Sequence, residues 1–249
     1  MDEHPVDRRI MRGKSKKNNL QVCQQQVQRY GNMFPHVQKM VSKDLLKLME
    51  EGRIIRSVKQ LLSANGPCFL LVDVRTKDER DISVIPGAIS MKDFKTQMKS
   101  IDKKKTQHHN LNVITYCTIG FRSGLQAQHI QNKYKLGYGR VHSLDGIAAY
   151  THAITEVLPK PMTLNHSRPQ TIKESMNLIV ISNNSLVTPS GHETTHVHTF
   201  GNIWSNTVDQ DHGYHATFFK PIRFILESAK VGVLTLRLSA STMLCRCIS

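Results

Sequence analysis

One short stretch of the sequence combines residue types that support nucleophilic chemistry on an anion: Cys117, Thr118, Ile119, Gly120, Phe121, Arg122 and Ser123. A cysteine sulfur is an effective nucleophile as its thiolate. Gly120 lets the backbone curl so that successive N–H groups turn inward and form an anion-binding nest. Arg122 adds a planar cation that binds anions through two nitrogens. We therefore expect this cysteine loop, residues 117–123, to hold an anion above a nucleophilic sulfur.

The elements around the cysteine loop place it at one edge of a sheet. An apolar run of strand length, Leu111–Tyr116, ends directly before Cys117, and a helix is predicted over 124–135. The carboxyl ends of parallel strands are where ligands gather, and the amino end of a helix favours a thiolate over a thiol. Further strands are predicted over 68–73 and 140–144, with helical segments between them. This order predicts an α/β fold, a central parallel β-sheet with helices on both faces.

The composition divides the chain into three segments. Residues 1–39 are polar and rich in glutamine and predict a basic N-terminal tail with at most a frayed helix. A helix begins at Ser42, which is a capping residue, and the folded domain is predicted over 40–158. Residues 159–184 predict a linker, and the whole of 159–249 a loosely structured C-terminal extension of unknown structure.

Three ordered motifs resemble the rhodanese-like sulfurtransferases of the single-domain type. They are a first signature, the cysteine loop and a closing signature: Asp73-Val74-Arg75 with Glu79 and Ile85-Pro86-Gly87-Ala88-Ile89; Cys117 to Arg122; and Leu144-Asp145-Gly146-Ile147 through Tyr150. The resemblance extends over about residues 40 to 158. The resemblance implies a rhodanese-like domain in which Asp73 and Arg75 have a structural role and hold the framework of the domain together.

The resemblance also implies a mechanism. Cys117 attacks the outer sulfur of a small anionic donor, thiosulfate or a persulfide, and becomes a persulfide itself. A thiol or a thioredoxin-like protein then accepts the sulfur. The substrate-binding residues are Thr118, Ile119, Gly120, Phe121, Arg122 and Ser123, and neither a cofactor nor a metal is implied. Thr118 stands where many thiosulfate-specialised members carry a basic residue, which favours a protein-bound persulfide as the natural donor.

Two other functions remain as alternatives. Related phosphatases and arsenate reductases carry one residue more between the cysteine and the arginine, and the six residues from Cys117 to Arg122 favour sulfur over phosphorus. The other alternative is a non-catalytic binding module on the same fold. The presence of both Cys117 and Arg122 argues against it, because such members usually lack the cysteine.

The stretch His192-Glu193-Thr194-Thr195-His196 has the spacing of a zinc-peptidase motif, which requires one helical turn between its histidines. Pro189, Gly191 and the β-branched threonines predict a loop or strand here instead. The segment His196 to Trp204 looks like a tail that follows the domain in some single-domain relatives. We therefore expect no metal site.

The chain carries a formal net charge of +15 and no run of apolar residues long enough to cross a bilayer. The basic cluster of the N-terminal tail predicts at most weak contact with nucleic acid or an acidic protein: Arg8, Arg9, Arg12, Lys14, Lys16 and Lys17. Five cysteines at irregular spacings argue against a disulfide framework. A cytoplasmic, reducing location is expected, with an organelle as the other candidate.

Overall fold

The computed structural model describes residues 18–63, 66–100, 111–157 and 185–220, together with 225–229, 232–233 and 235–236. The basic cluster of residues 8–17, the predicted linker over 159–184 and two of the five cysteines, Cys245 and Cys247, lie outside the described residues. Within the described part of the chain, no helix is long and apolar enough to cross a membrane.

The described elements alternate between helices and strands along the chain. The α-helices are α1 (Asn19–Gly31), α2 (Ser42–Glu50), α3 (Lys77–Ile82), α4 (Met91–Ser100), α5 (Phe121–Tyr134) and α6 (Ile147–Val157). The strands are β1 (Gln38–Met40), β2 (Ile54–Ile55), β3 (Cys68–Asp73), β4 (Ile89–Ser90), β5 (Leu111–Tyr116), β6 (Val141–Leu144), β7 (His196–His198) and β8 (His215–Thr217). Short 3-10 helices span Val58–Ser63, Asn202–Thr207 and Gln210–His212.

The central sheet is parallel throughout and runs in the order β1-β6-β5-β3-β2, with β4 paired to β3. Strands β3 and β5 have the predicted bounds, and their register pairs Asp73 with Tyr116, so both strands end at the same edge. The predicted α/β fold with a central parallel sheet is confirmed. The two segments that carry the first signature and the cysteine loop therefore leave the sheet side by side.

Each face of the sheet carries its own apolar core, because successive strand side chains point to opposite faces. Leu71 and Ile114 pack with helices α1, α2 and α6. Leu70 and Val113 pack with α4 and α5 on the other face. All four side chains are completely buried. The helices on both faces hold the end of β5, and with it the cysteine loop, between two packed layers.

The N-terminal segment is more ordered than its composition predicts. Helix α1 begins with a capping box between Asn18 and Gln21, and β1 extends the sheet by pairing with β6. Cys23, Val27 and Tyr30 follow one another at helical spacing and face the core. A stripe of three residues in a glutamine-rich segment is a weak signal, and this is why the sequence favoured a tail for residues 18–39.

The C-terminal extension is likewise built onto the domain over residues 185–220. Its strands β7 and β8 form a separate two-stranded parallel sheet. Val197, Val208 and Tyr214 pack into the same core as α1 and α6. Strands of three residues are too short to show a period in the sequence, so the extension was predicted to be loosely structured.

Candidate active site

Cys117 is the first residue after β5, and its side chain is only 2% exposed. The backbone N–H of Gly120 donates a hydrogen bond to the Cys117 Sγ at 3.3 Å. Gly120 has a φ of 103°, a conformation that glycine adopts without strain, and it stands just before α5. The loop therefore turns a backbone donor towards the sulfur at the amino end of a helix, as the sequence predicts.

The hydroxyl of Ser123 is a second polar contact of the sulfur. Its Oγ lies 3.7 Å from the Cys117 Sγ and donates to the Gly120 carbonyl at 3.0 Å. The Ser143 hydroxyl of β6 in turn donates to the Ser123 Oγ at 3.0 Å. Ser123 has no exposed surface. The sulfur thus meets one backbone donor and one hydroxyl, and the hydroxyl can either donate or accept.

The closing signature fixes the backbone of the cysteine loop. The N–H of Ile147 donates to the Cys117 carbonyl at 2.9 Å, and the N–H of Ala148 donates to the Thr118 carbonyl at 3.1 Å. Gly146 has a φ of 115°, and a Cβ added there would lie 2.4 Å from the Thr118 carbonyl oxygen. This close approach requires glycine at position 146.

Arg122 lies in a buried ion pair. Its two terminal nitrogens donate to the two carboxylate oxygens of Glu79 at 2.8 and 2.7 Å, and Nη2 also reaches the Thr118 hydroxyl at 3.3 Å. Burial alone would raise the pKa of Glu79, but the attraction of the Arg122 guanidinium outweighs it and lowers that pKa well below its usual range. The positive charge that the sequence predicts at the end of the loop is therefore neutralised by the Glu79 carboxylate.

Glu79 is held by the start of α3. Its Oε2 accepts hydrogen bonds from the Thr76 N–H at 3.0 Å and from the Thr76 hydroxyl at 2.9 Å, which is a capping box. Next to it, Arg75 binds Asp73 through Nε and Nη2, and the side chains of this pair are completely buried. Asp73 and Arg75 thus join the framework together, as the resemblance implies.

The predicted loop residues separate into three groups. Cys117, Gly120 and Ser123 meet at the sulfur. Thr118 and Arg122 meet each other beside Glu79, as described above. The remaining two face elsewhere, since Ile119 packs into the apolar core and Phe121 contacts the rings of Tyr30 and Phe34: the centroid distances are 5.6 and 5.9 Å. These two side chains contact residues around the loop and do not contact the sulfur.

Residues outside the predicted site flank the loop on two sides. The ring of Phe200 lies over the Arg122 guanidinium at 4.7 Å. The ring of Trp204 lies edge-on to Tyr30 at 5.8 Å, and the negative charge of an ionised Cys117 would help to raise the pKa of Tyr30, after the larger effect of burial. The sequence offered one indirect signal for these aromatic residues, the tail-like segment from His196 to Trp204.

The peptidase-like stretch is not helical. Glu193 forms a bridge with Val187, His196 begins β7, and the Nδ1 of His192 contacts the Ser190 hydroxyl at 2.9 Å. The prediction of a loop or strand is confirmed. Nor do three or more histidine, cysteine or acidic side chains cluster as metal ligands anywhere among the residues that the structure describes.

Comparison with known proteins agrees with the three motifs. Residues 55–151 match the family model described as the Rhodanese-like domain. No curated protein matches the chain significantly.

Several solved structures are similar to the chain. The thiosulfate sulfurtransferase from Pseudomonas aeruginosa is 17% identical over 55% of this chain and 23% of its own, with a TM-score of 0.35. The BH2092 protein from Bacillus halodurans is 21% identical over 49% of this chain and 77% of its own, with a TM-score of 0.29. The rhodanese-like domain of the Alr3790 protein from Anabaena sp. is 15% identical over 56% of this chain and 97% of its own, with a TM-score of 0.31. This chain spans about a quarter of the length of the Pseudomonas protein. Residues 55–151 of the chain thus match a rhodanese-like domain.

Proposed function

We propose that this protein is a sulfurtransferase that works through a persulfide on Cys117. The observation that carries the proposal is the Gly120 N–H, which donates to the Cys117 Sγ at the amino end of α5 within the family-matched segment. A backbone donor aimed at the sulfur stabilises the negative charge of the thiolate. In the family this sulfur is the nucleophile.

The proposed reaction has two displacements. The Cys117 thiolate attacks the outer sulfur of the donor, a sulfur–sulfur bond forms, and the donor's own bond to that sulfur breaks. The donor remnant, sulfite from thiosulfate or a thiolate from a persulfide, leaves with the electron pair. A thiophilic acceptor then attacks the outer sulfur of the Cys117 persulfide, and the Cys117 thiolate leaves.

Arg122 serves this reaction as a positioning residue. Its charge is matched by Glu79, and its side chain also binds the Thr118 hydroxyl inside the loop. The pair joins the first helical turn of α5 to α3 and fixes the curvature that aims the Gly120 N–H at the sulfur. Sulfur transfer therefore depends on Glu79, although Glu79 does not contact the substrate.

The loop favours a persulfide over thiosulfate as donor. Thr118 is 3% exposed and its hydroxyl faces Arg122, so this position offers no free cation to the sulfonate of thiosulfate. A persulfide carries less charge than thiosulfate and needs fewer charged partners. We therefore propose a persulfide, small or protein-bound, as the natural donor.

The test compares the protein with its Cys117→Ser variant in sulfur transfer to cyanide. Both donors, thiosulfate and a glutathione persulfide, are supplied in separate assays. Transfer from the persulfide that is lost in Cys117→Ser but kept in Cys68→Ser supports the proposal. Cys68 is a matched control because it is a buried free cysteine at the other end of the neighbouring strand β3. Transfer that survives in Cys117→Ser refutes it.

One observation favours a second candidate function, the binding of a partner protein without turnover. The Cys117 side chain is 2% exposed, with aromatic residues of α1 and the extension flanking its loop. A binding module has no need of an accessible sulfur. If neither donor transfers sulfur to cyanide and no sulfur adduct forms on Cys117, this second function replaces the first.

A further inference from the structure

The buried Cys117 thiol needs a path for its proton. The side chain is 2% exposed, yet the thiol must lose a proton before the sulfur can attack. Of the two polar contacts described for the sulfur, the Gly120 N–H is a donor and cannot take a proton. The Ser123 Oγ, at 3.7 Å, can accept a hydrogen bond from the thiol.

Ser123 is in turn hydrogen-bonded to Ser143. Ser123 has no exposed surface, and its Oγ accepts a hydrogen bond from the Ser143 hydroxyl at 3.0 Å. Ser143 lies in β6 opposite Thr115 of β5, two residues before Cys117. The parallel register of the two strands thus brings a second hydroxyl within reach of the first.

Ser143 also lines a cavity of about 230 Å³ between α1 and the β1–β6 edge of the sheet. Polar side chains in its lining include Lys39, Asn32 and Asp145, and Gly120 forms part of its wall. Most of its lining surface is apolar, but a cavity of this volume with these polar groups in its wall can hold water. Contacts between polar atoms therefore connect the Cys117 sulfur through Ser123 to Ser143, which lies in the cavity wall.

We infer that Ser143 is a positioning residue for Cys117 and acts through Ser123. The two hydroxyls first rotate so that Ser123 donates to the Ser143 Oγ and Ser143 donates to water in the cavity. The thiol proton then passes to the Ser123 Oγ, the Ser123 proton to the Ser143 Oγ, and the Ser143 proton to that water. The Ser123 hydroxyl, which now carries the former thiol proton, donates to the sulfur anion in place of the Gly120 carbonyl. Ser143 donates back to Ser123 and polarises it, so the thiolate is better stabilised. No oxidant or co-reactant is consumed.

Other charged or titratable groups face the same sulfur and must stay unchanged in the test. They come from three neighbouring elements: Tyr30 on α1, Arg122 on α5 with its partner Glu79 on α3. Asp145 lies in the cavity wall two residues after Ser143, and burial raises its pKa to about 6. None of these groups is altered when the Ser143 hydroxyl is removed.

The test measures the rate of Cys117 alkylation by iodoacetamide from pH 5 to pH 10 in the full chain. Ser143→Ala is expected to react about threefold more slowly at neutral pH, the effect of one lost hydrogen bond. Its rate at high pH is expected to equal that of the unmodified protein, because the thiolate is fully formed there. Ser143→Thr keeps a hydroxyl and is expected to restore the neutral rate. Ser90→Ala, another strand hydroxyl whose Oγ binds Asp93, is the control for general destabilisation and is expected to change nothing.

A double-variant cycle shows whether Ser143 acts through Ser123. In a Ser123→Ala background, Ser143→Ala is expected to add no further loss of rate. An equal loss in both backgrounds, or a lower rate at every pH, would overturn the inference, because either result is what a purely structural role produces. The inference rests on the proposed function only in taking Cys117 as the nucleophile. Alkylation requires no sulfur donor, so loss of sulfur transfer and loss of this effect are separate results.

Discussion

The guanidinium of Arg122 donates to both carboxylate oxygens of Glu79, 43 residues away in the sequence. The pair is buried, with Glu79 completely enclosed and Arg122 9% exposed. Burial of an isolated charge would be costly in free energy, so each of the two charges is stabilised in the interior by its partner. The cysteine loop therefore depends on a residue of α3 that never contacts the sulfur.

Replacing Glu79 by glutamine is expected to lower the free energy of unfolding by about 3–5 kcal/mol. The change leaves the buried Arg122 guanidinium without its counter-charge. Denaturation in urea measures the loss. Asp81→Asn is the matched control on the same helix, because Asp81 forms an exposed pair with Lys77 that should contribute under about 1 kcal/mol. Equal losses in the two variants would contradict the role given to the buried pair.

Replacing Gly146 by alanine is expected to cost at least about 3 kcal/mol, since both a left-handed backbone and a clash with the Thr118 carbonyl oppose a side chain. The same urea titration gives the value. Gly52→Ala is the control: Gly52 also has a positive φ, 65°, but no atom lies within 4 Å of an added Cβ. That variant is expected to lose about 1–2 kcal/mol. Similar losses would mean that the contact with Thr118 is unimportant.

Asp145 is expected to make stability fall as pH rises from 4 to 7. Burial raises its folded-state pKa to about 6, above the ordinary value of 3.8, so the folded state prefers the protonated carboxyl. The stabilising contribution is complete below pH 3.8 and is lost as pH rises through 6. A shift of this size corresponds to about 3 kcal/mol.

Asp145→Asn tests this pH dependence. The variant cannot ionise at this position, so its stability relative to the unmodified protein is expected to improve between pH 4 and pH 7. Unfolding free energies at pH 4, 5, 6 and 7 measure the change. Curves that stay parallel over this range would show that Asp145 is ionised in the folded protein throughout.

Tyr30→Ala is expected to increase the alkylation rate of Cys117 by iodoacetamide at least about threefold. The Tyr30 ring contacts both the Phe121 ring of the cysteine loop and the Trp204 ring of the extension, so its removal opens this side of the loop. Tyr138→Ala is the control, because the Tyr138 side chain is 75% exposed and covers no part of the core. An unchanged rate in Tyr30→Ala would mean that reagents approach the sulfur from another side.

The sequence predicted the parts of the site that are local. Leu111–Tyr116 is a continuous apolar run with a glycine and an arginine soon after it, and the strand bounds and the Gly120 turn agree with the structure. Every signal for these features lies within six residues of Cys117. A buried strand followed by a glycine-containing turn is specified by its own residues.

The remaining parts of the site depend on long-range packing. The sequence assigned Arg122 to the substrate because nothing near it shows that Glu79 is its partner. The capping box of Thr76 and Glu79 is visible in the sequence, but it predicts a helix start and not an ion pair. Tyr30 and Phe200 come from segments predicted to be loosely structured, and only the folded chain brings them beside the cysteine loop.

The most direct test of the proposed function is the intact mass of the protein after incubation with a persulfide donor and removal of excess donor. The proposal predicts the addition of one sulfur atom, located on Cys117 by peptide mapping, that disappears when cyanide is added. Cys117→Ser should show no addition, and Cys68→Ser should behave like the unmodified protein. A protein whose mass stays unchanged, or a sulfur adduct that cyanide does not remove, would contradict sulfur transfer through Cys117.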